Sequence, residues 1–459
     1  MLENFSPNLE GDGFGIGSHA ELAELRKALD IGTSIPPSGS DVLRVESLEA
    51  TLKILTFRMT NLKLWNMVDK TNAFSTVEEF NRLVEYGSDA GSFVSSGVLP
   101  EEEDSVYARD NQLVKFLGTT RAVNHPATLV RSVPADLIAR ETTNGALFLL
   151  GKLNASLYFG NADAVPVEWN GYIKQIEDGA ATNIIDLRGQ SLTESDIENA
   201  AQSITDNFGI PSKMFSNGRV FADFSKIFQS RQRVAVPPAT PGVAGTPMIG
   251  FNTVNGLINF ESDVFVKRGA GPPASATSVK APSAPTVAPG APGADASSVF
   301  TTGEVHAYQV TALNQFGESA PTALTADVTY TSGDIATHVI TDGGGANGAT
   351  AYKVYRTKDG ASNVPTFFLG FVLPRAKVGG VFQATTDFID RNTYIENMFQ
   401  ALMLDMTPES LTFRQLSPMI KMPLAQIAPS IRWMQLLYGT PIVYAPKKNI
   451  VFRNVGVTP

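Results

Sequence analysis

The stretch PADLIARETTNGALFLLGKLNASLYFG, residues 134–160, decides how the rest of the chain is read. Leu137, Ile138, Leu149, Leu150, Leu153, Leu157 and Tyr158 recur at helical spacing and form one apolar stripe. Ser132 is placed to cap, Pro134 suits a first turn, Asp136 complements the helix dipole, and Gly160 marks the end. At about 1.5 Å per residue such a helix is roughly 40 Å long. It needs a long surface to lie on.

Upstream, Phe74–Tyr86 carries Val77, Phe80, Leu83 and Val84 at a spacing that also suits a helix. A strand is preferred, because Val106–Ala122 reads as a strand returning beside it. Between them lie a Gly/Ser tip, GSDAGSFVSSG (Gly87–Gly97), and the acidic run Glu101, Glu102, Glu103 and Asp104. Residues 74–123 thus read as a two-stranded ribbon, marginal when isolated. Leu48, Leu52, Leu55, Met59 and Leu62 predict an amphipathic helix before it. The first 45 residues, rich in Gly, Pro and Ser around Ala20–Leu29, read as an arm lying on another surface.

Downstream, Thr193–Phe208 predicts a second helix, with Thr193 and Asp196 as a capping box and Gly209 and Pro211 as stops. A third helix is expected over Arg219–Arg231 and a strand pair over Leu257–Val266. The texture then loosens into GPPASATSVKAPSAPTVAPGAPGADASS, residues 271–298, read as a linker. Beyond it HAYQVTALNQFGESAPT, AYKVYRTKDG, FFLGFVL and TTDFIDRN are short alternating strands between turns, the pattern of a small β-sandwich. The host style resumes at MIKMPLAQIAPSIRWMQLLYGTPIVYAPKKNIVF, so the sandwich is read as an insert.

Composition narrows the function. The 459 residues are 43% hydrophobic and 18% charged, enough for two or three domains. No apolar run has the length of a membrane span. The first residues lack the basic-then-apolar pattern of a signal peptide. Absence of cysteine excludes disulfides, thiolate nucleophiles and Cys-based metal sites. A net charge of -9 argues against gripping nucleic acid. GDGFGIG (Gly11–Gly17) lacks the strand and helix context of a dinucleotide loop, and DGGGANG (Asp342–Gly348) reads as a hairpin. His19, His125, His306 and His338 are scattered without metal spacing and read as surface or capped histidines. No catalytic constellation emerges, and no cofactor is expected.

Three segments carry a family resemblance: LTFRMTNLKLWNMVDKTNAFSTVEEFNRLVEYG, GQSLTESDIENAAQSITDNFGIPSKMFSNGRVFADFSKIFQSRQ, and MIKMPLAQIAPSIRWMQLLYGTPIVYAPKKNIVFRNV. With the order arm, ribbon, long helix, α/β portion and late strand, the chain resembles the major capsid proteins of tailed bacteriophages. Within them it looks similar to those of phages related to Twort and SPO1 and of the SU10 type.

The resemblance implies an α+β, Hong Kong 97-type fold that is not an enzyme. Residues 1–45 would be the N-arm, 46–73 a helix leading into the extended loop, and 74–123 that loop. Residues 124–164 would be the peripheral domain with its spine helix, and 165–275 the axial domain. Residues 276–394 would be an inserted immunoglobulin-like or fibronectin type III sandwich with its linker. Residues 395–430 would complete the axial domain and 431–459 the peripheral domain. Candidate inter-subunit contacts are Phe93, Val98, Glu101, Glu102, Glu103, Asp104, Arg109, Lys447 and Lys448. Hexamers and pentamers of the chain would build an icosahedral shell around double-stranded DNA, without sequence-specific binding and without a membrane. Scaffolding, portal and decoration proteins would be its other partners. Some relatives crosslink through a loop lysine; here no lysine lies between Lys70 and Lys115, so no such bond is expected. No long charged helical segment precedes the fold, so no fused scaffold is expected. The competing reading is a secreted carbohydrate-binding or polysaccharide-active protein with a fibronectin-like module.

Overall fold

The computed structural model describes residues 56–87, 93–99, 102–129, 136–229, 248–266, 271–345, 347–360, 365–374, 383–426 and 428–457. The expectations for the arm, for the helix before Leu55, for the Gly11–Gly17 loop, and for Ser132 and Pro134 lie outside them. Of the upstream helix the described part is a 3-10 turn, Met59–Asn61, followed by a short α-helix, Lys63–Met67.

The long helix runs Leu137–Phe159. Asp136 is itself the cap: its side chain accepts from the backbone N–H groups of Ile138 and Ala139 at 2.9 and 3.0 Å. A short polar side chain just outside the first turn satisfies donors that have no helical partner. The helix lies on a four-stranded sheet ordered Lys70–Asn72, Leu411–Pro423, Ser430–Val443, Lys115–Asn124. Gln435 Nε2 of that sheet donates to the Thr142 carbonyl at 2.7 Å. Gly145 makes this approach possible, since a Cβ there would sit 2.3 Å from the Gln435 side chain. Leu150, Leu153, Leu157 and Tyr158 join Leu64, Trp65, Phe413 and Leu437 in one core.

Within that core Asp263 is fully buried. Its Oδ2 accepts from Asn154 Nδ2 at 3.0 Å and from the Tyr158 hydroxyl at 2.9 Å. Asn154 Oδ1 in turn accepts from the Trp65 backbone N–H at 2.9 Å. Burial, together with the Asp263 charge, pushes the Tyr158 hydroxyl far above its usual range, so it stays a donor. A buried carboxylate without donors would be strongly destabilising. This node therefore fixes three distant segments at one point.

A six-stranded sheet is ordered Ile184–Asp186, Ile450–Val455, Phe399–Leu404, Lys213–Ser216, Gly256–Ser262, Gly250–Thr253. The helices Glu194–Asp206 and Gly218–Gln229 cover it through Ile197, Ala201, Ile204, Val220 and Phe224. The Thr193–Asp196 capping box is present. The expected strand pair appears one hairpin earlier, as Gly250–Thr253 against Gly256–Ser262. The C-terminal strands divide differently from the expected boundary at residue 431. Leu411–Pro423 already belongs to the four-stranded sheet, and Ile450–Val455 crosses into the six-stranded one.

Three other expectations are corrected. The strand returning from Val106 is two strands. Val106–Leu113 pairs with Val77–Glu85, whereas Lys115–Asn124 pairs with Ser430–Val443. The break is Val114, buried and bonded to the Thr76 carbonyl. Lys115 turns away there, its Nζ 2.6 Å from the Pro166 carbonyl. The stretch 271–298 is not a free linker. Thr286–Ala288 and Pro292–Ala294 both pair along Asp334–Thr341, and Val287 packs on the sandwich core. They pair on one side only, where proline is tolerated because no ladder donor is lost. Small residues are required there too, since a Cβ on Gly290 would lie 2.0 Å from the Thr337 carbonyl. Asp342–Gly348 is not a hairpin but leads from Asp334–Thr341 to Ala351–Thr357, which lie in different sheets.

The second sheet of the sandwich is ordered Gly317–Glu318, Tyr308–Asn314, Ala351–Thr357, Thr366–Val372, and Thr385–Asp390 closes the first. Its core of Tyr308, Val310, Tyr330, Ile340, Tyr352 and Val354 also holds His306 and His338, against the expectation of surface histidines. Two ring stacks keep His338 inside: Tyr308 at 4.0 Å and Phe388 at 5.9 Å.

Candidate assembly surfaces

The ribbon presents two faces because side chains alternate across a strand. Glu78, Phe80 and Arg82 stand on one face, opposite Gln112, Asp110 and Ala108. This face is seated on the same chain. Phe80 packs edge-on against Tyr444 at 4.9 Å, and Arg82 donates to the Tyr444 carbonyl and pairs with Asp110. Glu78 accepts from the backbone of Phe74 and Ser75 at 2.8 and 2.9 Å and faces Arg414 at 3.4 Å.

The other face carries Glu79, Asn81 and Leu83 opposite Asn111, Arg109 and Tyr107. Its polar part is tied internally: Arg109 reaches Glu79 at 3.4 Å and Asn81 Oδ1 at 3.2 Å. Its distal part is apolar and exposed, Leu83 by 42% and Tyr107 by 70%. Exposed apolar groups continue into the tip at Phe93, Val98 and Leu99. A contiguous exposed apolar surface of this kind marks an interaction site.

The expected contact residues fall in separate places. Phe93 and Val98 are exposed at the tip, and Glu102, Glu103 and Asp104 are exposed just before the returning strand. Glu101 lies outside the described residues. Arg109 is engaged within the ribbon, as above. Lys447 and Lys448 sit in a 3-10 turn, Pro446–Lys448, beside Ile450–Val455. The Lys447 carbonyl accepts from Asn183 Nδ2 at 2.7 Å, leaving its side chain exposed and that of Lys448 half-buried. Sequence reasoning missed the seated face of the ribbon and the Asp263 node. The one available signal for the node was an asparagine, Asn154, inside an apolar helical stripe.

Among the described residues no group of three or more potential metal ligands occurs, and no helix is long and apolar enough to cross a membrane.

No family model matches the chain. It is 24% identical over 452 residues to the major capsid protein of Staphylococcus phage K, covering 94% of each chain. The same figures hold for the major capsid protein of Staphylococcus phage S25-3. A putative major capsid protein of Enterococcus phage phiEF24C is 23% identical over 456 residues, again with 94% of each covered. Among solved structures, the capsid of the empty GTA particle matches with a TM-score of 0.46 at 10% identity, over 92% of this chain and 99% of that one. The SrpI encapsulin complex of Synechococcus elongatus PCC 7942 matches with a TM-score of 0.41 at 11% identity, over 93% of this chain and 98% of that one. The sequence relatives, rather than these distant likenesses, carry the assignment. The chain belongs with the major capsid proteins of tailed phages, of Hong Kong 97-like fold, and is related to that of Staphylococcus phage K.

Proposed function

We propose that this major capsid protein meets its copies as hexamers and pentamers of an icosahedral head shell around double-stranded DNA. The ribbon's outward face, Leu83 and Tyr107 with the tip residues Phe93 and Val98, lies on a neighbouring copy. The carrying observation is that asymmetry: one ribbon face is seated on Tyr444 and Arg414, and the other leaves large apolar side chains in water. Burial of apolar area supports association at roughly 25 cal/mol per Å². A closed shell repeats each such contact in many subunits, so modest contacts add up.

The segment roles follow the same reading. Residues 1–45 are the arm, 74–123 the extended loop, and 137–159 the spine helix of the peripheral domain. The six-stranded sheet is the axial domain facing the symmetry axes. The inserted sandwich is an immunoglobulin-like or fibronectin type III module on the outer face. Scaffolding, portal and decoration proteins are separate chains.

The test is sedimentation velocity of the double variant Leu83→Asp, Tyr107→Asp beside the unmodified chain. The unmodified chain is expected to form rings or shells. The variant is expected to remain a folded monomer, with assembly lowered at least about a hundredfold, since two buried apolar contacts of about 1.5–3 kcal/mol each are replaced by charge. Undiminished assembly of the variant would remove the ribbon from the interface.

A further inference from the structure

The sandwich touches the rest of the chain along a seam that is tight on one side and open on the other. On the tight side Arg356, fully buried, donates to Asp390 at 2.7 Å, to Asn392 Oδ1 at 2.7 Å and to the Tyr394 carbonyl at 2.9 Å. It thereby grips the segment that leaves the sandwich. Arg188 of the host completes the pin, donating to the carbonyls of Asn392 and Val299 at 2.6 and 3.1 Å. On the open side the seat is small. Ala164, Leu313 and Ala351 are buried together with Val165 and Phe371 against them, and Thr350 Oγ1 donates to the Ala164 carbonyl at 2.8 Å. Beside this seat lies a cleft of about 860 Å³ between the end of the long helix and the sandwich. Glu168 stands in its wall, facing Lys353 across the seam.

We propose that this seam is a proton-controlled hinge: the sandwich is pinned at Arg356 and Asn392, and its seat on Ala164 and Val165 loosens when Glu168 is ionised. The charges around Glu168 are mostly committed to other partners. Lys353 is held by Glu318 at 2.6 Å, and Glu318 also accepts from Thr311 at 2.7 Å and from Tyr355. Lys174 is shared between Asp178 at 2.6 Å and Asp163 at 3.5 Å. Glu177 accepts from the Tyr394 hydroxyl at 3.0 Å, Asp390 is held by Arg356, and Arg391 donates to Ser297. Lys152 and Lys353 oppose the cost of burying Glu168 without cancelling it, and burial raises its carboxyl from 4.5 to about 7.

The direction follows from linkage. With the seat closed the carboxyl holds its proton up to about pH 7. With the seat open it regains water and moves back toward the ordinary value. The closed state thus binds the proton more tightly. Closure is favoured at low pH, weakens as pH rises from about 4.5 to about 7, and is level above that. The closing equilibrium should fall by about tenfold or more across that window.

The chain has no cysteine, so paired labels can be placed without background. Spin labels on Val254→Cys in the host and Val279→Cys in the sandwich, both exposed, report the distance between the two bodies in the full chain. At pH 5.5 the distance distribution is expected to be narrow, and at pH 8 broader or shifted. Glu168→Gln should stay narrow at both values. A distribution in the unmodified sequence that is identical at both pH values would overturn the hinge. So would a Glu168→Gln chain that still broadens at pH 8, or one that is broad at pH 5.5.

Discussion

The ribbon and the sandwich are both built from short antiparallel strands, but only the sandwich completes its contacts within the chain. Its inward side chains close a core around Tyr308, Tyr330 and Val354, and even its buried arginine has four partners: Asp390, Asn392, Tyr394 and Glu396. The ribbon buries one face on Tyr444 and Arg414 and leaves Leu83, Tyr107 and Phe93 in water. An element finished inside the subunit can be carried on a shell without building it. An element left half-finished gains its stability from a neighbour. The contrast separates stability of the subunit from strength of the assembly, and each can be altered alone.

The largest effect is expected from breaking the finished element. Arg356→Ala strands Asp390 and Glu396 in the sandwich core and should destabilise that body by about 3–5 kcal/mol. Calorimetry should show its transition lowered while shells still form; loss of shells with an unchanged sandwich would reverse the assignment of roles.

The next effect comes from pH. Burial lowers His338 from 6.5 to about 4, with Asp390 opposing and Arg356 adding to the shift. The folded sandwich therefore binds this proton less readily than the unfolded chain. The stability it contributes is complete above about pH 6.5 and is lost as pH falls toward 4, by up to about 3 kcal/mol. Melting of the sandwich should fall over that window and be flattened by His338→Phe. This trend is opposite in sign to the hinge, which tightens on acidification, so a single titration with both readouts tells fold from seat.

The smallest effect belongs to the acidic run. Reversing Glu102 and Glu103 to Lys should reduce shell yield only modestly, because exposed ion pairs contribute below about 1 kcal/mol each. Undiminished yield would mark the run as solvated.

Much of the scaffold was legible in residue spacing. The stripe through Leu149, Leu153 and Leu157 gave the long helix, and Thr193 with Asp196 gave the start of the next. What escaped was set by partners distant in sequence. Nothing local to Val106–Asn124 says that its second half pairs with Ser430–Val443, since both halves alternate alike. The proline-rich stretch 271–298 looks unable to fold because its stability comes from Asp334–Thr341, some fifty residues on. Isolated polar residues were equally opaque: Asp263 becomes a node only when Asn154 and Tyr158 arrive from over a hundred residues away. For the candidate contacts, Phe93 and Val98 stand exposed as a docking surface requires, whereas Arg109 is used up inside the ribbon.

The most direct measurement is electron cryo-microscopy of the purified chain at high concentration. The expected result is closed shells, or hexameric and pentameric rings, with Leu83 and Tyr107 covered by an adjacent copy and the sandwich as separate surface density. A monomer at every concentration, or shells in which that ribbon face stays in solvent, would contradict the account.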